Sequence, residues 1–265
     1  MRWRGNRRSS NIEDRRGDST PVMRGVGGGS VMRLLPVVFR FLGFKGTLIA
    51  GLVIFALAYF TGNMGLLLGL FGGVNPESKP AAQSAQLSQS PQEKELVDFV
   101  SVVLADTEDT WSTIFKDRGS VYKEPKLVLY RQAVKSGCGF GSAQIGPFYC
   151  PSDQKVYIDL SFYDDLKNLH GAPGDFAQAY VIAHEIGHHV QTISGISKKI
   201  RNAQSKLDKV ESNKLSVKQE LQADCFAGLW AHHADRSRAI LDKGDIQEGL
   251  VAASAIGDDR LQKQA

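Results

Sequence analysis

The feature that most constrains this chain is an uncharged stretch of 29 residues, 46–74, which includes the Leu66-Leu67-Leu68 run. A helix of about 20 apolar residues is long enough to cross the hydrocarbon core of a bilayer. The stretch therefore predicts one transmembrane helix. A cleaved signal peptide would have a shorter apolar region nearer the start of the chain. A buried core helix is the other alternative, but soluble helices are rarely apolar on all faces over such a length.

Charge on the two sides of this stretch predicts its orientation. Residues 1–45 contain ten Lys and Arg against three acidic residues, which leaves the rest of the chain with a net charge of −3. Basic residues favour the cytoplasmic side, so we expect a cytoplasmic N-terminus and an exported chain after residue 75. The Gly- and Arg-rich leader, 1–45, is expected to be disordered. Because basic residues are concentrated there, no nucleic-acid partner is expected.

The remaining chain divides into a linker and one domain. Residues 75–92 are rich in Pro, Ser, Gln and Ala and have almost no large apolar side chains, which predicts a linker. Residues 93–265 are expected to form one extracytoplasmic domain. Strand signals are few and precede most of the helices, which predicts an α+β fold, mostly helical with a small sheet. Helices are predicted at 93–115, 175–194, 216–233 and from Asp245 onward, and strands at 126–130 and 155–162.

Two of the three cysteines flank a glycine-rich loop. Cys138 and Cys150 are separated by a segment whose glycines permit sharp bends. A disulfide between them is predicted, and it would suit an exported domain. Two metal-binding thiolates are the alternative, but structural zinc sites usually place paired cysteines two to four residues apart.

A short motif in the helix predicted at 175–194 carries the strongest chemical signal. His184 and His188 are four residues apart, so both imidazoles project from one face of the helix. Zinc accepts neutral imidazole nitrogen, and Glu185 beside the first histidine can direct its carboxylate at a water molecule. The spacing predicts a zinc site, against the alternative of two histidines on an ordinary helix face.

A catalytic zinc site needs a third protein ligand, and a later helix offers one. Glu220 is the predicted ligand, and Asp224, one turn further on the same face, could accept a hydrogen bond from a ligand imidazole. The alternative is a pair of solvated helical acids. Cys225 is expected to be a buried thiol rather than a ligand, and His189 is expected beside the site or on the surface.

Several segments carry a family resemblance: Met1 to Arg4, Gly146 to Pro151, His184 to Gln191, and Glu220 to Cys225. Together with the single span, they resemble the bacterial neutral zinc metallopeptidases over nearly the whole chain. The resemblance implies a zincin-like fold, with His184, His188 and Glu220 as ligands of one Zn²⁺ and Glu185 as the catalytic residue. Relatives continue past residue 262 into a segment with a Phe-Thr-His-Gly-Ser motif, so a C-terminally short domain is expected.

These observations define two functional hypotheses. The first is a single-pass peptidase of the bacterial inner membrane, which would hydrolyse peptide or protein substrates in the periplasm with a zinc-activated water. The strand at 155–162 would pair with the extended substrate. The second is a membrane-tethered envelope adaptor without catalytic activity, in which a fourth protein ligand would close the zinc site.

Overall fold

The computed structural model describes residues 1–18, 89–142, 146–168 and 174–256. The predicted membrane helix at 46–74 lies outside these ranges, as do most of the predicted leader and linker. Within the described ranges, no helix is both long and apolar enough to cross a bilayer.

Helices dominate the described fold, and the predicted α+β class is confirmed. The helices are α1 (Pro91–Asp117), α2 (Phe162–Asn168), α3 (Asp175–Ile193), α4 (Ile196–Gln204), α5 (Lys209–Arg238) and α6 (Asp245–Ile256). The strands are β1 (Ile12–Asp14), β2 (Lys126–Tyr130), β3 (Ala133–Ser136), β4 (Gly139–Ser142), β5 (Phe148–Cys150) and β6 (Lys155–Asp159).

A four-stranded sheet has the strand order β1-β2-β6-β5. The first three strands are parallel, and β5 runs antiparallel to β6. Leu127 pairs with Val156 and Leu129 with Ile158, and all four side chains are fully buried in the main core. Because β6 lies between β2 and β5, the edges of the described sheet are β1 and β5. β3 and β4 form a separate antiparallel pair.

Helix α1 begins at a clear sequence signal. The Ser90 hydroxyl accepts a hydrogen bond from the backbone N–H of Glu93, and Pro91 lies in the first turn, where its missing N–H costs nothing. Near the middle of α1, the buried Asp106 accepts hydrogen bonds from the Trp230 indole at 2.7 Å and from Arg238 at 2.9 Å. This polar contact joins α1 to α5.

Helix α3, which carries the histidine motif, crosses the main core and packs against α1, α5 and α6. Ala177, Ile182 and Ile186 on this helix are completely buried. Near its start, Phe176 stacks on Trp230 of α5 with ring centroids 6.0 Å apart. Burial on several faces holds the motif in a fixed position.

Some predicted boundaries were wrong. The helix predicted at 216–233 is the middle of α5, which begins after Asp208, whose carboxylate accepts a hydrogen bond from the N–H of Glu211 at 2.9 Å. The predicted start, residue 216, therefore lies inside the helix rather than at its N-terminus. The strand predicted at 155–162 ends at Asp159, because Phe162 begins α2.

The N-terminal segment, residues 1–18, corrects the prediction of a disordered leader. Its strand β1 lies parallel to β2. On either side of the paired residues, Leu127 donates to the Asn11 carbonyl at 2.9 Å and Arg15 donates to the Leu129 carbonyl at 2.8 Å. Trp3 is buried edge-on against Phe99 of α1. Composition misled the prediction for residues 1–18, because their six arginines have acidic partners within the fold.

Candidate metal centre

The centre is built where α3 and α5 pack closely. Gly187 faces Ala223 of α5, and a Cβ atom at Gly187 would lie only 2.9 Å from the Ala223 carbonyl oxygen. Contacts between real Cβ atoms and other heavy atoms are essentially never shorter than 3.0 Å. Glycine at this position therefore lets the two helices approach, and the approach brings Glu220 opposite the histidine pair.

Three predicted ligand atoms converge at this contact. The Nε2 atoms of His184 and His188 are 3.1 Å apart. One Glu220 carboxylate oxygen lies 3.3 Å from His184 Nε2 and 3.2 Å from His188 Nε2. Each of the three side chains is partly buried. The structure thus brings together the three residues that the sequence predicted as ligands.

The outer nitrogens of both imidazoles are held by hydrogen-bond acceptors. His184 Nδ1 lies 2.8 Å from an Asp224 oxygen, and His188 Nδ1 lies 3.0 Å from Gln191 Oε1. If each Nδ1 donates to its acceptor, each neutral imidazole presents an unprotonated Nε2 to the centre. Two nitrogen lone pairs and a carboxylate oxygen then face one another at about 3 Å, an arrangement that a metal ion or a proton between them would stabilise.

The spacing of these atoms fits zinc. Ligand atoms about 2.0–2.1 Å from a tetrahedral ion lie about 3.3 Å from one another. The three observed separations are 3.1, 3.2 and 3.3 Å. Imidazole nitrogen and carboxylate oxygen are both common zinc ligands. The residues present can therefore hold a zinc ion without rearrangement.

Electrostatics at the centre also favour a cation. Burial alone would lower the His184 pKa, but hydrogen bonds to Asp224 and Glu220 raise it to about 10. Burial alone would raise the Glu220 pKa, but the two imidazoles lower it to about 2, which keeps the carboxylate ionised. The same negative charges that hold a proton on His184 would attract a metal ion.

Glu185 is placed differently from the ligands. Its side chain is buried, and burial raises the pKa of its carboxyl. It also interacts with the backbone N–H of Tyr149 in β5, which lowers the pKa and partly offsets burial. A buried carboxylate with a raised pKa is a stronger base than an exposed one, which suits proton transfer. The arrangement also puts Glu185 beside an edge strand of the sheet.

The sequence did not identify a role for Gln191. This fully buried side chain accepts from His188, and its amide group donates to the Gln219 carbonyl at 2.7 Å and to Gln222 at 3.1 Å. Gln191 thereby ties one histidine to the residue that precedes Glu220. Its position three residues after His188, on the same helical face, was the available signal.

Tyr180 was also missed. Its hydroxyl donates to the Asp224 oxygen that accepts from His184. The hydrogen bonds with His184 and Tyr180 outweigh burial and lower the Asp224 pKa, so this carboxylate stays ionised. Tyr180 lies four residues before His184, and that spacing puts it on the metal-facing side of α3.

Other candidates lie outside the centre. His189 is fully buried, with Nε2 2.6 Å from the Lys123 carbonyl and Nδ1 3.2 Å from the Tyr149 hydroxyl, so it supports the fold. Cys225, expected to be buried, is exposed, because it lies on the solvent side of α5. Cys138 and Cys150 form a disulfide.

The geometry defines a candidate metal centre of the His-Glu-x-x-His type, completed by a glutamate from a second helix. A family model described as "Putative neutral zinc metallopeptidase" matches residues 1–265. The chain belongs to this family, as the resemblance in its sequence predicted.

Two relatives illustrate the spread of the family. The Escherichia coli protein YpfJ is 50% identical over 266 residues, which cover 100% of this chain and 86% of YpfJ. A Mycobacterium tuberculosis protein, Rv2575, is 38% identical over 177 residues, which cover 63% of this chain and 58% of that protein. Both are described as uncharacterised. No solved structure matches the chain.

Proposed function

We propose that this protein is a zinc peptidase in which His184, His188 and Glu220 hold one zinc ion. The observation that carries the proposal is the convergence of their three ligand atoms at 3.1–3.3 Å. Acceptors at the outer nitrogens fix both imidazoles in the orientation that a metal requires. Family membership supports the choice of zinc.

The reaction assigned to the site is hydrolysis of a peptide bond. When bound, zinc would polarise the substrate carbonyl and acidify a water molecule. Glu185 accepts a proton from the attacking water as the water oxygen bonds to the carbonyl carbon. Glu185 then passes this proton to the amide nitrogen as the carbon–nitrogen bond breaks, so one carboxylate acts first as base and then as acid. Asp224 and Gln191 keep the imidazoles oriented throughout.

The substrate is proposed to bind along β5. The earlier hypothesis assigned this role to the strand at 155–162, but β6 already has β2 on one side and β5 on the other. Within the described sheet, β5 is an edge strand, and an extended peptide can add to such an edge through backbone hydrogen bonds. Tyr149 brings this edge beside Glu185. A slowly cleaved peptide should protect β5 amides from hydrogen exchange, and protection elsewhere with none at β5 would refute this assignment.

The adaptor hypothesis requires a fourth protein ligand to close the site. Among the described residues, the group of possible ligands around His184 contains only His188 and Glu220 besides it. Cys225, the cysteine next to Asp224, is exposed and is not part of that group. An open coordination position is typical of catalytic zinc, which favours the peptidase.

The proposed location is the bacterial inner membrane, with residues 46–74 as the membrane-associated segment and the metal centre in the periplasm. The absence of charge across those residues supports insertion. The disulfide between Cys138 and Cys150 supports an oxidising compartment for the domain.

Two variants of the full chain test the catalytic proposal, with zinc content and peptide cleavage measured on the same samples. Glu185→Gln should keep about one zinc per chain but lose cleavage by at least about 100-fold, because the base is removed and no ligand is changed. Glu220→Ala should lose both zinc and cleavage. Glu211→Gln, a change at an exposed position on the same helix α5, is the control and should alter neither. Undiminished zinc-dependent cleavage by Glu185→Gln would reject the mechanism.

A further inference from the structure

The N-terminal segment is built into the domain that contains the metal centre. Its strand β1 forms one edge of the four-stranded sheet through a parallel ladder with β2. Further along the segment, Ser9 donates its backbone N–H to the Ser101 carbonyl of α1 at 3.0 Å. Backbone bonds of this kind form only between segments that share one side of a membrane.

A buried cluster of polar side chains strengthens the attachment. Glu108 of α1 is almost fully buried, and it accepts hydrogen bonds from the Ser9 hydroxyl at 2.5 Å, Asn11 at 2.9 Å and Arg7 at 3.0 Å. All three donors come from the N-terminal segment. Burial of a carboxylate is energetically costly unless it has such partners, so these hydrogen bonds stabilise the packing of the segment on α1.

Arg16 forms a second buried link. Its side chain has no exposed surface, and its guanidinium contacts Asp14 and, at 2.8 Å, Glu93 at the start of α1. Burial of an unpaired arginine would be strongly unfavourable. The contact with Glu93 therefore ties the segment to the first turn of the helix that follows the predicted linker.

Six of the ten basic residues that predicted a cytoplasmic N-terminus lie in the described segment and are paired within the fold. Residues 1–18 contain six arginines, and each forms an ion pair with an acidic residue. The pairs are Arg2–Asp242, Arg4–Glu95, Arg7–Glu108, Arg8–Asp98, Arg15–Glu13 and Arg16–Asp14. Four of the acidic partners belong to α1 or to the loop before α6, far along the chain. Charges neutralised in this way are weaker evidence for a cytoplasmic location than free charges.

From these contacts we infer that residues 1–18 and the metal centre lie on the same side of the membrane. The chain between residues 18 and 89 must then cross the bilayer an even number of times or not at all. A single crossing by residues 46–74 is incompatible with the pairing of β1 and β2. If β1 paired with β2 of a second copy of the chain, the two strands would still have to lie on the same side of the membrane. The inference uses the proposed membrane location but is independent of the catalytic role of the site.

Cysteine labelling of the full chain in its host cells tests the inference. Cys225 is first replaced by serine, and single cysteines are then introduced as Ser10→Cys in the N-terminal segment or Ser205→Cys after α4. Both serines are exposed, and the changes are nearly isosteric. A membrane-impermeant maleimide is applied to intact spheroplasts, and labelling after detergent lysis defines the total.

We expect the two cysteines to show the same labelled fraction in intact spheroplasts, so that their ratio is close to one. Labelling of both before lysis supports the inference and a periplasmic domain. Labelling of both only after lysis also supports the inference but refutes the periplasmic location in the proposed function. If Ser205→Cys is labelled before lysis and Ser10→Cys only afterwards, or the reverse, the inference is overturned.

Discussion

The metal centre and the N-terminal segment are both held by buried charged groups, but they differ in how their partners are spaced along the chain. In the metal centre, His184 and His188 are one helical turn apart, and Glu220 and Asp224 are separated in the same way. In the N-terminal segment, partners such as Arg16 and Glu93 are 77 residues apart. Local spacing makes the first region recognisable in the sequence, whereas long-range pairing conceals the second.

The largest expected effect on stability comes from removing the buried arginine of the N-terminal segment. Arg16→Ala should lower the free energy of unfolding by about 2–4 kcal/mol, because it removes a fully buried side chain and its ion pairs with Asp14 and Glu93. Urea denaturation of the purified full chain measures this change. Arg8→Ala, which removes an exposed pair with Asp98, is the control and should cost less than about 1 kcal/mol. Equal, small effects of both variants would show that the segment is not part of the domain.

The close contact of α3 with α5 provides the next test. Gly187→Ala should cost about 1–3 kcal/mol through overpacking against Ala223, and it should weaken zinc binding by moving Glu220 away from the histidines. The matched control is Gly228→Ala in α5, where an added Cβ meets nothing within 4 Å. That variant should be neutral or stabilising by up to about 1 kcal/mol. Unchanged zinc affinity in Gly187→Ala would mean that the helix approach does not set the ligand geometry.

The variant Gln191→Ala tests whether Gln191 orients the zinc ligand His188 or only stabilises the fold. Zinc affinity should fall by about 10–100-fold, since His188 would lose the acceptor that fixes its ring. Competition with a chelator measures the zinc dissociation constant. Gln204→Ala is the control because it removes a similar amide link, to Ser212 and Ser216 in α5, without touching a histidine. If both variants bind zinc equally well, Gln191 has only a structural role.

The smallest expected effect is a loss of stability at low pH. Protonation of Glu13 should weaken the attachment of the N-terminal segment. Burial alone would raise the Glu13 pKa, but hydrogen bonds from Lys155, Arg15 and Lys126 lower it to about 2. The pKa of Glu13 in the folded state lies below its unfolded value of about 4.3. The contribution of ionised Glu13 to the free energy of unfolding is therefore fully present above about pH 4.3. It is lost as the pH falls towards 2. Urea denaturation from pH 5 to 3 should show a shallower decline for Glu13→Gln than for the parent, and identical slopes would contradict this assignment.

Much of the site followed from the sequence, because helical spacing converts positions along the chain into positions in space. The residues that meet at the metal centre were predicted in this way, whereas the α+β class followed from the order of strand and helix signals and the family from the resemblance of several segments. Gln191 and Tyr180 were not given roles, since their partners depend on how α3 and α5 pack. The sequence did not show that β6 has a neighbouring strand on both sides, because the order of strands in a sheet is not encoded in the pattern of any one strand.

The sequence by itself determined which side chains could share an ion, because the rotation between successive residues of an α-helix is fixed. It also determined the family. Only the tertiary structure decided that Gly187 lets α5 pack close to α3. It also decided that β5 rather than β6 lies at an edge of the four-stranded sheet, and that residues 1–18 belong to the domain. Those outcomes depend on contacts between segments far apart in the chain, and such contacts are selected by the free energy of the whole fold.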